Sequence, residues 1–164
     1  MVASRPAFIV IVALVLGASF AIPAEDVPET AYDESFDKAE YLPGTTTGQM
    51  KAGQAVKGTL VFDTQKRNVD FLQESGSPAL SIKFDSIKTM TYERASKPRM
   101  AEAVLISPLF LLSSAKKHYL TIQYADESGV GKYAILHLHK KNAQQAVACA
   151  EAQTGKKVEQ IAEK

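Results

Sequence analysis

Apolar and polar residues alternate along most of the chain with a period of two. From Gln54 to Asp63, Leu60 and Phe62 fall on one face and Thr59 and Val61 on the other, the pattern of a half-buried strand. The polar stretch from Thr64 to Asn68 connects it to a partner strand over Val69 to Leu72, which predicts a hairpin. Ser75-Gly76-Ser77-Pro78 punctuates the chain, and Leu80, Ile82 and Phe84 repeat as a third strand. After a brief turn at Asp85-Ser86, Lys88 to Arg94 forms a fourth, with Met90 and Tyr92 on one face. His118 to Tyr124, the turn Glu127-Ser128-Gly129 and Lys132 to His139 predict a further antiparallel pair.

The period then changes. Ala143, Ala146, Val147 and Ala150 recur at helical spacing, preceded by Asn142 as N-cap with Gln145 three residues on. Gly155 is placed to end that helix, followed by Lys156 and Lys157. Between Met100 and Leu112 the run from Val104 to Leu112 is apolar without alternation, and Pro108 would kink a helix there.

The amino terminus follows neither period. Arg5 precedes an apolar run from Ala7 to Leu16, and small residues lead through Ser19 to Ala21 and Ala24, the layout of a secretory signal. The run is short of the roughly 20 residues a spanning helix needs, and Pro23 interrupts it. The chain therefore divides into a signal peptide (1–24), an acidic disordered linker (25–53), a β domain with a C-terminal helix (54–155) and a basic tail (156–164). Localisation is expected to be secreted, periplasmic or cell-envelope, with an uncleaved N-terminal membrane anchor as the alternative.

Overall charge is nearly balanced, with 19 basic and 18 acidic residues, but its distribution is not. Glu25 to Glu40 holds seven acids and one base, whereas Tyr41 to Lys164 holds 17 bases and 11 acids. An acidic leader precedes a basic domain, either as a solvated spacer or as a tail that folds back weakly. The single cysteine, Cys149, excludes an internal disulfide, and its alanine-rich helical surroundings predict a small buried hydrophobe.

Consecutive β-hairpins closed by one C-terminal helix give the chain its family likeness. Gly58-Thr59-Leu60-Val61-Phe62, Leu80-Ser81-Ile82 leading into Asp85-Ser86-Ile87-Lys88, Tyr119-Leu120-Thr121-Ile122 and the helix from Asn142 to Thr154 carry it. In these features the chain resembles a pleckstrin-homology-like domain of the bacterial or GRAM type over roughly Gln54 to Gly155. The resemblance implies a mainly β fold, a bent antiparallel sheet or partly open barrel of about seven strands capped by one helix. It also implies binding of lipid head groups or protein segments without catalysis. The basic cluster such domains place around the first hairpin has only Lys57, Lys66 and Arg67 as matching positions, and Asp70 stands where another base is expected.

Candidate chemistry is sparse. Nothing resembles a nucleophile elbow, a phosphate loop or a zinc-protease helix, so no catalytic residue and no cofactor is expected. The cations lack interleaved aromatics, which counts against nucleic acid. His137 and His139 share a strand face, and His118 would join them as a metal cluster only if it pairs opposite His139. The register that aligns Leu120 with Leu136 and Ile122 with Ala134 buries only apolar partners and separates His118 from the pair. The run containing Leu109 and Phe110 is flanked by Lys97 and Arg99 before and by Lys116 and Lys117 after, which suits packing over the barrel or contact with an anionic membrane surface or partner. These features predict an exported non-enzymatic binding module for an envelope protein or membrane lipid. A metal-assisted enzyme and a structural envelope protein are the alternatives.

Overall fold

The computed structural model describes residues 34–43, 55–101 and 115–162; the expected signal segment and the run from Val104 to Leu112, with Leu109 and Phe110, lie outside them. The strands are Glu34–Leu42 (β1), Val56–Asp63 (β2), Asn68–Gln73 (β3), Pro78–Lys83 (β4), Ile87–Ala95 (β5), Lys117–Ala125 (β6), Gly131–Leu138 (β7) and Val158–Ile161 (β8). The helix α1, Ala143–Thr154, sits between β7 and β8. The strands form one sheet in the order β4-β3-β2-β1-β7-β6-β5-β8. The fold is mainly β with one C-terminal helix, as the alternation predicts.

This order forces the sheet to bend. β4 and β5 are six strand spacings apart, about 29 Å in a flat sheet at ~4.8 Å per strand. Only the 3₁₀ turn Phe84–Ser86 joins them, and the four Cα steps from Lys83 to Ile87 reach at most about 15 Å. The sheet therefore curls until its distant strands meet across a shared interior, without closing into a barrel. Phe36, Leu60, Phe71, Ile82, Met90, Leu120, Leu136 and Val158, one from each strand, belong to a single buried cluster. Ala143, Ala146, Val147, Cys149 and Ala150 of α1 cover it.

Three expectations are corrected. Residues 34–42, assigned to a disordered linker, form β1 at the middle of the sheet. A bulge between Phe36 and Ala39, with Lys38 at φ 55°, turns Phe36 and Ala39 both inward three residues apart, so the period-two signal fails there. The basic tail contains β8, which pairs parallel to β5, so the sheet has eight strands and is mixed. Asn142 occupies the N-cap position of α1 without capping it; its amide donates to Asp37 Oδ1 at 3.1 Å, which ties the helix start to the bulge. Gly155 ends the helix as expected, at φ 66°, with its N–H donating to the Glu151 carbonyl at 3.0 Å.

The outer face of the sheet carries a second buried cluster. Leu42, Tyr119 and Ile135 pack there with Met100 and Tyr133. In the centre of the sheet the strands are thus apolar on both faces, and alternation alone assigns Ile135 and Tyr119 to solvent.

Gly58 marks the tightest backbone approach. A Cβ at this position would lie 1.9 Å from the Leu72 carbonyl oxygen and 2.9 Å from the Phe71 ring. Backbone cannot yield as a flexible side chain can, so Gly58→Ala is expected to destabilise the fold by about 2–4 kcal/mol. Urea denaturation followed by circular dichroism measures this, and a midpoint equal to wild type would show that β2 and β3 can separate freely.

Candidate functional site

The convergence of cations is at one end of β5 and β6. Antiparallel pairing sets Ala95 opposite Lys117, and parallel pairing brings Ile161 of β8 beside Glu93, so three chain segments meet there. They enclose a cleft of about 250 Å³ lined by Glu93, Arg94, Ala95, Ser96, Lys97, Arg99, Lys116 and Ala162. Glu93 is 4% exposed and organises it. Its carboxylate accepts the Arg99 backbone N–H at 2.8 Å and lies 3.8 Å from the Arg99 guanidinium Nε, pulling the loop after β5 back onto the strand. Arg94, Lys97, Arg99 and Lys116 line the cleft around this one buried acid.

Three of the cations singled out in the sequence, Lys97, Arg99 and Lys116, are thus brought together, and Arg94 joins them. Arg94 was missed because it reads as the end of a strand; its only signal was its closeness to Lys97. The other cations go elsewhere. Lys66 Nζ is 2.7 Å from Asp63 Oδ2, and the same carboxylate accepts the Lys66 backbone N–H at 2.7 Å. Arg67, at φ 55°, bonds Asp85 at 3.1 Å with its guanidinium carbon 5.7 Å from the Phe84 ring centroid. Lys57 lines a separate cleft of about 430 Å³ at the β1 bulge, among Asp37, Glu40 and Glu74. The first hairpin therefore presents its bases already matched by acids.

The three histidines do not converge. The observed register pairs His118 with Leu138 and Tyr119 with His137, so His118 and His137 lie on opposite faces of the sheet. His118 faces the interior, where Tyr92 Oη accepts from the Gln144 amide at 3.2 Å and is hydrogen-bonded to His118 Nδ1 at 2.6 Å. His139 accepts the Lys141 N–H at 3.4 Å, beyond the end of β7. Among the described residues, no group of three or more His, Cys, Asp or Glu is placed to hold a metal ion.

His137 instead belongs to a polar row across the outer face. Lys57, Glu40, His137, Tyr119 and Glu93 are successive cross-strand partners on β2, β1, β7, β6 and β5. His137 Nδ1 lies 3.0 Å from Glu40 Oε2. That hydrogen bond chiefly holds the Glu40 carboxyl below its usual range, with Lys117 and Lys57 acting in the same direction against desolvation. Burial, then the charges of Glu40 and Glu93, push the Tyr119 hydroxyl up to about 12. In the core, burial and then Glu34 push the Cys149 thiol up to about 12, so it stays protonated at neutral pH and is a poor nucleophile.

No protein-family model matches the chain, and no curated protein matches it. Among the described residues, no helix is long and apolar enough to cross a membrane.

The Glu40–His137 pair makes stability depend on pH in a defined direction. A carboxyl held below its usual 4.5 contributes stability that is present above that pH and is lost as pH falls through the lowered folded value. Both side chains are partly exposed, which limits the contribution to about 1 kcal/mol. Glu40→Gln is expected to lose up to about that much at neutral pH and to weaken less steeply than wild type on acidification below pH 4.5. Urea midpoints across the acidic range check this; parallel profiles for the two proteins would count against it.

Proposed function

We propose that this chain is an exported, non-enzymatic binding module of pleckstrin-homology-like build, which contacts an anionic partner in the cell envelope through the cleft at the end of β5 and β6. The observation that carries the reading is the gathering of Arg94, Lys97, Arg99 and Lys116 around one cleft, anchored by buried Glu93. A cleft lined by several cations attracts an anionic partner, which supports a binding role. The secretion-like amino terminus supports export, and the helix-capped bent sheet supports the family likeness. The partner is an anionic lipid surface or an acidic envelope protein, because the cleft selects for charge and its flanking sequence from Val104 to Leu112 is apolar.

Each basic residue near an anionic surface contributes about 1 kcal/mol, so Lys97→Glu with Lys116→Glu is expected to weaken binding at least tenfold. Co-sedimentation with phosphatidylcholine vesicles, with and without phosphatidylglycerol, measures the lipid case. A pull-down from envelope fractions measures the protein case. The melting temperature of the double variant should stay within a few degrees of wild type, since both lysines line the open cleft. Undiminished binding of that variant in both assays would overturn the assignment of the cleft.

A further inference from the structure

A third cleft differs from the other two in chemistry. It occupies about 420 Å³, within the roughly 300–1,000 Å³ typical of small-molecule sites. It lies between β4, whose outer edge no strand pairs among the described residues, and the β6–β7 hairpin. Its charges cancel in pairs: Lys132 Nζ is 2.8 Å from Asp126 Oδ2, and Lys83 Nζ is 3.9 Å from Glu127 Oε1. Asp126 is also fully engaged by its own turn, accepting from Ser128 N–H at 3.0 Å, Ser128 Oγ at 2.6 Å and Val130 N–H at 2.9 Å. An ion of either sign would find no uncompensated charge here.

What remains available is neutral hydrogen-bonding capacity beside an aromatic ring. Tyr124 lines the cleft half-buried, packs its ring against the core and makes no hydrogen bond through its hydroxyl to any described residue. Among the described residues its hydroxyl is not a buried polar atom without a partner, so it meets solvent at the cleft and can bond a ligand there. Ser81 donates to Asp70 at 2.5 Å and accepts from the Asn68 amide at 3.3 Å, which leaves its oxygen one lone pair, and Ser86 donates to the Lys83 carbonyl at 2.7 Å, which leaves its oxygen free to accept. Adjacent hydroxyls that each donate and accept, carried on a ring with an apolar face, complement this set.

We propose that the cleft between β4 and the β6–β7 hairpin binds an uncharged polyhydroxylated ligand, a sugar residue, with its ring face against Tyr124 and its hydroxyls toward Ser81 and Ser86. The site is separate from the basic cleft and does not depend on the function assigned there.

Titration of the ¹⁵N-labelled full chain with N-acetylglucosamine, and separately with maltose, tests this by amide shift mapping. Saturable shifts are expected over residues 81–87 and 124–132 for at least one sugar, with a dissociation constant on the order of 1 mM. Tyr124→Ala should weaken binding at least tenfold and Tyr124→Phe several-fold. If Tyr124→Ala does not fold, Ser81→Ala at the exposed edge of β4 serves instead, with a several-fold loss expected. The absence of saturable shifts with both sugars, or an affinity that neither Tyr124→Phe nor Ser81→Ala changes, would overturn the proposal.

Discussion

The three-residue turn Phe84–Ser86 is the constraint on which the rest of the structure depends. It joins strands that the pairing order sets far apart, and a flat sheet would have to stretch it to about twice its length. Because it cannot stretch, the sheet curls, and the curl gives β4 and β5 one interior to share. Phe84 reinforces the effect by burying its own ring in that interior, so the turn is an anchored corner of the core. A chain of this size needs no disulfide once every strand contributes to one apolar cluster, which agrees with a lone, protonated, buried Cys149.

The curl in turn loads the middle of the sheet. β1 and β7 pair over only three residues, Glu40, Tyr41 and Leu42 with His137, Leu136 and Ile135, and this short ladder joins the two halves. Each of the three does different work: Tyr41 packs against the inner core, Leu42 belongs to the outer cluster, and Glu40 bonds His137. A narrow junction supported on both faces can hold where a longer one-sided ladder would be needed. The bulge at Lys38 permits this, since it turns β1 between its pairing with β2 and its pairing with β7.

The strands with unbroken alternation were legible: Leu60 and Phe62, Met90 and Tyr92, Leu120 and Ile122 all lie buried where a period of two places them. The register of β6 and β7 was also legible, because burying Leu120 against Leu136 and Ile122 against Ala134 satisfies more apolar surface than the alternative. β1 was not, because the bulge breaks its period and its acids resemble those of a solvated leader. β8 was not, because four residues with one buried side chain, Val158, leave no pattern to detect. The basic cleft was half legible: Lys97, Arg99 and Lys116 stood out as flanking charges, but only the antiparallel return of β6 onto β5 reveals that they share a site with Arg94.

The same topology explains why charged and neutral clefts occur on one small domain. Where β5, β6 and β8 meet, a loop is folded back by a single buried carboxylate, and four cations line the cleft around it. At the outer edge of β4 the partners come from separate elements: β4 brings Lys83, and the β6–β7 hairpin brings Asp126, Glu127 and Lys132, so two lysines meet two acids. A sheet that closed fully would have neither a β4 edge that no described strand pairs nor the cleft beside it, so that cleft follows from the incomplete closure of the sheet.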